Sequence, residues 1–215
     1  MNEDSVLLID KPAGITSFGV VARVRRRLSE QLGKKAKVGH TGTLDPFATG
    51  LMIIVTGKEC RNAMQYSKLD KEYEATIRLG ETSSTGDPEG ELTRVSDSIP
   101  TKEAVEAALQ PFRGEITQVP PIFSAIKING RRAYDLARKG EEVTVPPRQV
   151  TVHALELLDY SYPDVRVRVH VSSGTYIRSL AEDIGKLLET GAYCVELRRT
   201  KVAQWSVDDA MPIEK

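Results

Sequence analysis

The sequence predicts an α+β fold, and three observations lead there. Strand-like and helix-like segments follow one another without the regular alternation that marks a doubly wound parallel sheet. Two segments have period-two patterning: Tyr73, Ala75, Ile77 and Leu79 alternate with polar residues, and Val165, Val167, Val169 and Val171 alternate with Arg166, Arg168 and His170. Two others have helical spacing: Phe18, Val21, Val24 and Leu28, then Ile177, Leu180, Ile184 and Leu188. No internal repeat, low-complexity tract or linker divides the 215 residues. They are read as one domain, long enough to bury a core without staples.

The elements then follow in order. Val6-Leu7-Leu8-Ile9 is a buried strand ended by the turn Asp10-Lys11-Pro12-Ala13-Gly14. Thr16 or Ser17 caps the first helix, whose other face carries arginines. Gly39 to Gly50 has neither period and reads as a shaped loop. Leu51 to Val55 is an apolar strand closed by Gly57, and Glu59 to Leu69 a short helix. Residues 80–100, rich in Gly, Ser, Thr, Asp and Pro, read as a long loop. Glu103 to Leu109 is helical between two prolines. Pro120-Pro121 and Pro146-Pro147 bracket a basic excursion with a strand at Phe123–Ile128 and a helix at Arg131–Arg138. Strands follow at 149–160 and 164–172. Ser173-Gly174-Thr175 opens a helix ended by Gly191, and Tyr193 to Arg199 is the last strand.

Composition excludes several classes. No run approaches the ~18 apolar residues of a membrane span. The acidic N-terminus with its short apolar run does not read as a secretory signal, so the cytoplasm is expected. Cys60 and Cys194 fit no metal or redox spacing, and neither do His40, His153 and His170. Gly57-Lys58 is followed by Glu59 and so is no P-loop; no Gly-x-Gly-x-x-Gly follows a strand, and no nucleophile elbow is present. The net charge of zero hides local bias. Residues 22–39 carry seven basic side chains against Glu30, residues 121–140 five against Asp135, and residues 81–106 seven acids against Arg94 and Lys102. A basic face and an acidic face are therefore expected, and a basic face suits a polyanion.

Chemistry concentrates in Gly39-His40-Thr41-Gly42-Thr43-Leu44-Asp45-Pro46-Phe47-Ala48-Thr49-Gly50. Glycines, a proline and hydroxyls surround one carboxylate. Ordered loops on rigid scaffolds are where catalytic groups tend to sit, and a carboxylate works as nucleophile or base without a cofactor. A turn aspartate before proline is the structural alternative.

This stretch resembles the catalytic motif of bacterial tRNA pseudouridine-55 synthases, the TruB family. Asp10-Lys11-Pro12, Lys71-Glu72-Tyr73, Val119 to Val143, Gly174-Thr175-Tyr176-Ile177-Arg178-Ser179-Leu180 and Leu197-Arg198-Arg199 resemble further motifs of that family, in the same order over nearly the whole chain. The resemblance implies the pseudouridine synthase catalytic fold, a mixed and mostly antiparallel sheet flanked by helices. It implies one catalytic domain over 1–215, with 119–149 as an inserted RNA-gripping element. The family's usual C-terminal, PUA-like RNA-binding domain is not expected here.

The implied reaction isomerises the T-loop uridine at tRNA position 55 to pseudouridine after the base is flipped out. No cofactor and no metal is implied; the partner is the tRNA T-arm, with no membrane, and the chain is expected to act as a monomer. The resemblance makes Asp45 the catalytic aspartate, attacking ribose or base or assisting deprotonation at C2′. It makes Arg178 that aspartate's partner and Tyr73 the aromatic that stacks on the target base. His40, Lys11, Pro12, Thr43, Tyr176 and Leu197 become substrate-binding positions. Lys127, Arg131, Arg132, Arg138 and Lys139 would grip the RNA backbone, which gives affinity with little sequence choice. Two alternatives stay open: an RNA-binding or tRNA-folding module without catalysis, and a pseudouridine synthase with another RNA target.

Overall fold

The computed structural model describes residues 3–124, 127–128, 131–132 and 144–213. In chain order the elements are β1 (Val6–Lys11), α1 (Ser17–Leu32), β2 (Val38–His40), β3 (Thr49–Thr56), α2 (Ala63–Ser67), β4 (Lys71–Leu79), β5 (Glu81–Ser83) and β6 (Leu92–Arg94). Then come α3 (Lys102–Leu109), β7 (Gly114–Gln118), β8 (Lys127–Ile128), β9 (Arg131–Arg132), β10 (Arg148–Ser161), β11 (Asp164–Val171), α4 (Ile177–Leu187), β12 (Ala192–Val202), β13 (Trp205–Ser206) and β14 (Met211–Pro212). The chain forms two compact units, one of Met1–Tyr73 with Arg198–Lys215 and one of Glu74–Leu197. Strands β4 and β12 run from one unit into the other. Among the described residues no helix is long and apolar enough to cross a membrane.

In the first unit β3 is the central strand. It pairs antiparallel with β1, from Val6 opposite Val55 to Lys11 opposite Gly50. On β3, β2 adds antiparallel pairing and β12 adds a short parallel contact through Arg198 and Arg199. β14 lies parallel on β1. A strand covered on both faces reads as a continuous apolar run, and Gly50 to Thr56 are all buried. Leu51, Ile53 and Val55 pack with Val202 and Val207, flanked by Val6, Leu8, Tyr66 and Trp205.

Helix α1 begins where Thr16 accepts the Gly19 N–H and ends at Gly33, a left-handed cap whose N–H reaches Glu30. It buries Ser17, Val20, Val21, Val24 and Leu28. Phe18, expected on that face, is 65% exposed. At 100° per residue it lies about a quarter turn off the buried stripe, and the Arg25 guanidinium sits 5.8 Å from its ring. The helix expected over Glu59–Leu69 is broken in two, a 3₁₀ turn at Gly57–Arg61 and α2, with Asn62 at the junction.

In the second unit the strand order is β12-β4-β11-β10-β7. β10 pairs antiparallel with β11 and, on its other edge, with β7. Val165, Val167, Val169 and Val171 are all buried, as their alternation requires. Helix α3 packs on β10 and α4, and the two helices bury Val105, Leu109, Ile177, Leu180 and Ile184. Among the described residues the ladders are mostly antiparallel, with β1–β14 and β3–β12 parallel, so the expected α+β class with a mixed sheet holds.

Three differences stand out. The loop expected at 80–100 contains the β5–β6 hairpin, Glu81 opposite Arg94. β7, unseen in the sequence, supplies the edge against which β10 pairs. In the basic excursion, β8 and β9 form their own two-stranded ladder. Arg131 and Arg132 are thus strand rather than helix, Phe123 lies in irregular chain, and the rest of the expected 131–138 helix falls outside the described residues.

Candidate active site

In the first unit, the ends of the Gly39–Gly50 segment join β2 and β3, which leaves Thr41–Ala48 irregular. Its shape is held through the main chain. Ser17 donates its hydroxyl to the Leu44 carbonyl and accepts the Leu44 N–H, both at 2.8 Å. Gly14 N–H reaches the Pro46 carbonyl at 2.8 Å, and Ala48 N–H the Asp45 carbonyl at 3.2 Å. Thr41 donates both N–H and hydroxyl to Ile53 O.

Two buried cations complete the clamp. Lys11 is 0% exposed, and its ammonium donates to the carbonyls of Pro12, Ile15 and Pro46 at 2.9, 2.8 and 3.1 Å. An ammonium has three donors, and here they tie the Asp10–Gly14 turn to the Asp45 loop. Arg199 donates Nε to Leu51 O at 2.6 Å, Nη2 to Gly42 O at 3.1 Å and Nη1 to Thr43 O at 3.5 Å. Burying such cations is costly without partners; these have carbonyl partners on adjoining chain. Within the loop so held, Asp45 is half-buried.

The other expected residues of this unit are placed as follows. His40 ends β2 opposite Ile54 and is half-buried. Thr43 is exposed, Pro12 half-buried, and Tyr73 buried on β4. Lys11, expected at a substrate-binding position, turns its side chain inward onto main-chain oxygens.

In the second unit, Arg178 in the first turn of α4 is buried. Its Nη1 donates to Thr85 O at 2.7 Å and to Asp87 Oδ2 at 3.0 Å; its Nη2 donates to Phe123 O at 2.7 Å. Asp87 also accepts the Thr85 hydroxyl at 2.6 Å and the Glu89 N–H at 3.0 Å. Gly86 between them has φ +73°, and a Cβ there would stand 2.4 Å from Glu182 Oε1. Burial pushes the Glu182 carboxyl above its ordinary pKa, against the pull of Lys186.

Tyr176 precedes α4 and is held by Gln118, which accepts its N–H at 2.8 Å and donates to its carbonyl at 3.0 Å. Leu197 is buried on β12. Lys127, Arg131 and Arg132 lie on β8 and β9, while Arg138 and Lys139 lie outside the described residues. His153 and His170, which lack metal-ligand spacing in sequence, have ring centroids 4.8 Å apart across β10 and β11.

Four positioning residues escaped the sequence reading. Asp87 was counted only within an acidic segment, although Gly86-Asp87-Pro88 is a turn signal. Ser17 was an alternative cap; since Thr16 caps α1, Ser17 is left for Leu44. Arg199 was quoted only as part of a motif. Gln118 gave no signal.

A model of the TruB family pseudouridylate synthase N-terminal domain matches residues 26–177, and one of the tRNA pseudouridylate synthase B C-terminal domain matches residues 178–215. The chain is similar to the tRNA pseudouridine synthase B of Phocaeicola vulgatus, 47% identical over 215 residues, covering 99% of this chain and 91% of that protein. It is 45% identical to that of Aquifex aeolicus over 214 residues, covering 99% of this chain and 73% of that one. Among solved structures it is similar to a chain of a Cbf5-Nop10-Gar1 complex, with TM-score 0.75 and 30% identity. That match covers 98% of this chain and 53% of the other, so this chain spans about half its length.

Proposed function

The chain belongs to the TruB family of pseudouridylate synthases, and we propose that it isomerises the T-loop uridine at position 55 of tRNA, with Asp45 as catalytic residue. Pseudouridine synthesis in tRNA is the activity named for its relatives. The observation that carries the assignment to Asp45 is the clamp on its loop. Ser17, Lys11, Gly14 and Arg199 fix the main chain on both sides of one half-buried carboxylate. Preorganised positioning of this kind is what a catalytic carboxylate needs.

The reaction changes connectivity only. The N1–C1′ bond breaks, the uracil turns, a C5–C1′ bond forms, and the proton on C5 is lost while N1 gains one. No atom enters or leaves, so the chemistry calls for no oxidant. Asp45 starts it by adding to ribose or base, or by taking the C2′ proton. Tyr73 stacks on the uracil; such stacking on a base is worth ~1–3 kcal/mol. Arg178 serves the same reaction, with Tyr176, Leu197, His40, Thr43, Lys11 and Pro12 as substrate-side residues. Lys127, Arg131, Arg132, Arg138 and Lys139 bind RNA phosphates. The enzyme works as a monomer in the cytoplasm, without a metal.

Mass-spectrometric mapping of pseudouridine in an unmodified T-arm hairpin tests this. Wild type converts the uridine at position 55 and no other, and Asp45→Asn converts none, while both bind. Binding without conversion by wild type would leave an RNA-binding module; conversion elsewhere would identify another target.

A further inference from the structure

Arg148 opens β10 opposite Gln118 of β7. Directly opposed residues of an antiparallel pair project from the same face, and both side chains address Tyr176. Gln118 holds its main chain at both the N–H and the carbonyl. Arg148 lays its guanidinium over the ring, 4.8 Å from the centroid. Gly174 lies beside it. With φ +91°, it would place a Cβ 3.4 to 3.5 Å from Cζ, Nη1 and Nη2 of that guanidinium.

A guanidinium stacked on a ring uses its face for the ring and keeps its in-plane edge for hydrogen bonds. The edge formed by Nε–H and Nη2–H is a bidentate fork. Both of those atoms of Arg148 are buried, and among the described residues neither has a hydrogen-bond acceptor. Elsewhere in the unit the same edge is satisfied: Nε and Nη2 of Arg78 take the two carboxylate oxygens of Asp164 at 2.8 Å each. Buried donors without acceptors are unfavourable, and each such group in a native fold calls for an explanation. Among the described residues no carboxylate is paired with Arg148. That edge suits an anion that brings two oxygens in one plane.

We propose that Arg148 is a phosphate-binding residue, its Nε/Nη2 fork taking two oxygens of one phosphodiester of the substrate RNA while its face rests on Tyr176. The proposal depends on the RNA-modifying function above and adds a contact at the C-terminal edge of the 119–149 element, beyond Lys127, Arg131, Arg132, Arg138 and Lys139. A phosphodiester supplies both the oxygen pair and the counter-charge. The Hoogsteen edge of guanine would supply acceptors without a charge.

Binding of a fluorescein-labelled, unmodified T-arm hairpin, followed by anisotropy over a salt series, tests it. The proteins are Asp45→Asn alone, to prevent turnover, and the same chain with Arg148→Gln or Arg148→Lys. Arg148→Gln is expected to weaken binding about tenfold and to lower the slope of log K against log salt by about 0.7 to 0.9, the release expected for one phosphate. Arg148→Lys restores the slope but only part of the affinity, because it keeps the charge and loses the fork. An unchanged slope, with the loss confined to hairpins that carry one particular guanine, would overturn the proposal in favour of a base contact. An unchanged slope with a lowered melting temperature would overturn it in favour of simple support of Tyr176. Pseudouridine mapping with the Asp45 enzyme separates the premises: absence of product defeats the function, whereas the slopes judge Arg148.

Discussion

Arg178 and Asp87 meet at 3.0 Å with side chains only 3% and 6% exposed. The pair lies within one unit, and each partner is bonded further: Arg178 to two carbonyls, Asp87 to a hydroxyl and an N–H. A buried pair so satisfied need not add net stability, but removing one partner strands the other. Asp87 therefore does for Arg178 what the sequence alone did not suggest: it fixes the guanidinium from the side of the β5–β6 segment.

Asp87→Asn should destabilise the fold by about 3 kcal/mol, since a buried guanidinium loses its counter-charge. Turnover at saturating RNA should fall more than tenfold. Urea unfolding and single-turnover kinetics measure the two effects. The double variant Asp87→Leu with Arg178→Met should be less destabilised than the sum of its singles, because neither charge remains to be stranded. Additive losses would show that the pair is not a unit.

Lys11→Met keeps the aliphatic stem and removes three donors. The carbonyls of Pro12, Ile15 and Pro46 then lose a charge-assisted partner, each such bond being worth ~1.5–3 kcal/mol in other proteins. A net loss of about 3 kcal/mol is expected, with faster amide exchange at residues 44–48 and a lower kcat at unchanged RNA affinity. Unaltered exchange in that loop would mean that Ser17 and Gly14 hold it alone.

How much of this could be read from residues differs by element. Period-two valines at 165–171 and the Tyr73–Leu79 alternation announced β11 and β4, because burial of one face leaves a mark on every second position. The loop around Asp45 was legible because glycine, proline and hydroxyl residues exclude regular structure. Phe18 was misplaced because apolar residues also occupy surfaces, and its neighbour Val20 completes the buried stripe instead. β7 was invisible because Gly114-Glu115-Ile116-Thr117-Gln118 has almost no apolar period and owes its conformation to pairing with β10. The roles of Gln118 and Arg199 are long-range hydrogen bonds to main chain, and that of Asp87 is a long-range ion pair with Arg178; local sequence carries no trace of those. Spacing likewise cannot show His153 beside His170, since a cross-strand neighbour is set by register.

Gly50 has φ +104°, and a Cβ there would lie 2.3 Å from the Arg199 carbonyl oxygen. Both the conformation and the space are closed to alanine. Gly50→Ala should cost more than ~4 kcal/mol and prevent isolation of a folded chain at moderate temperature. Gly33→Ala is the control: its φ of +64° is also left-handed, but nothing lies within 4 Å. That variant should lose only about 1 kcal/mol. Equal losses in thermal melts would show that backbone strain, rather than the close approach of β3 and β12, decides at Gly50.

Lys71 is buried where β4 begins, its ammonium donating to Ser67 O at 2.7 Å and Leu69 O at 2.5 Å. Burial, reinforced by the positive charge of Arg199 and opposed by Asp70, pulls its pKa down to about 8 from 10.5. Between those two values the unfolded chain holds a proton on this group that the folded chain has released. Stability must therefore rise with pH through that window. Below pH 8 the cost of the buried charge is fully present; above pH 10.5 it has gone. The shift corresponds to about 3 kcal/mol. Other groups titrate there too, so the comparison is with Lys71→Met, which has nothing to release. From pH 8 to 10.5 the unfolding free energy of wild type should gain about 3 kcal/mol on that variant. Parallel curves in urea titrations across the window would mean that Lys71 keeps an ordinary proton affinity despite its burial.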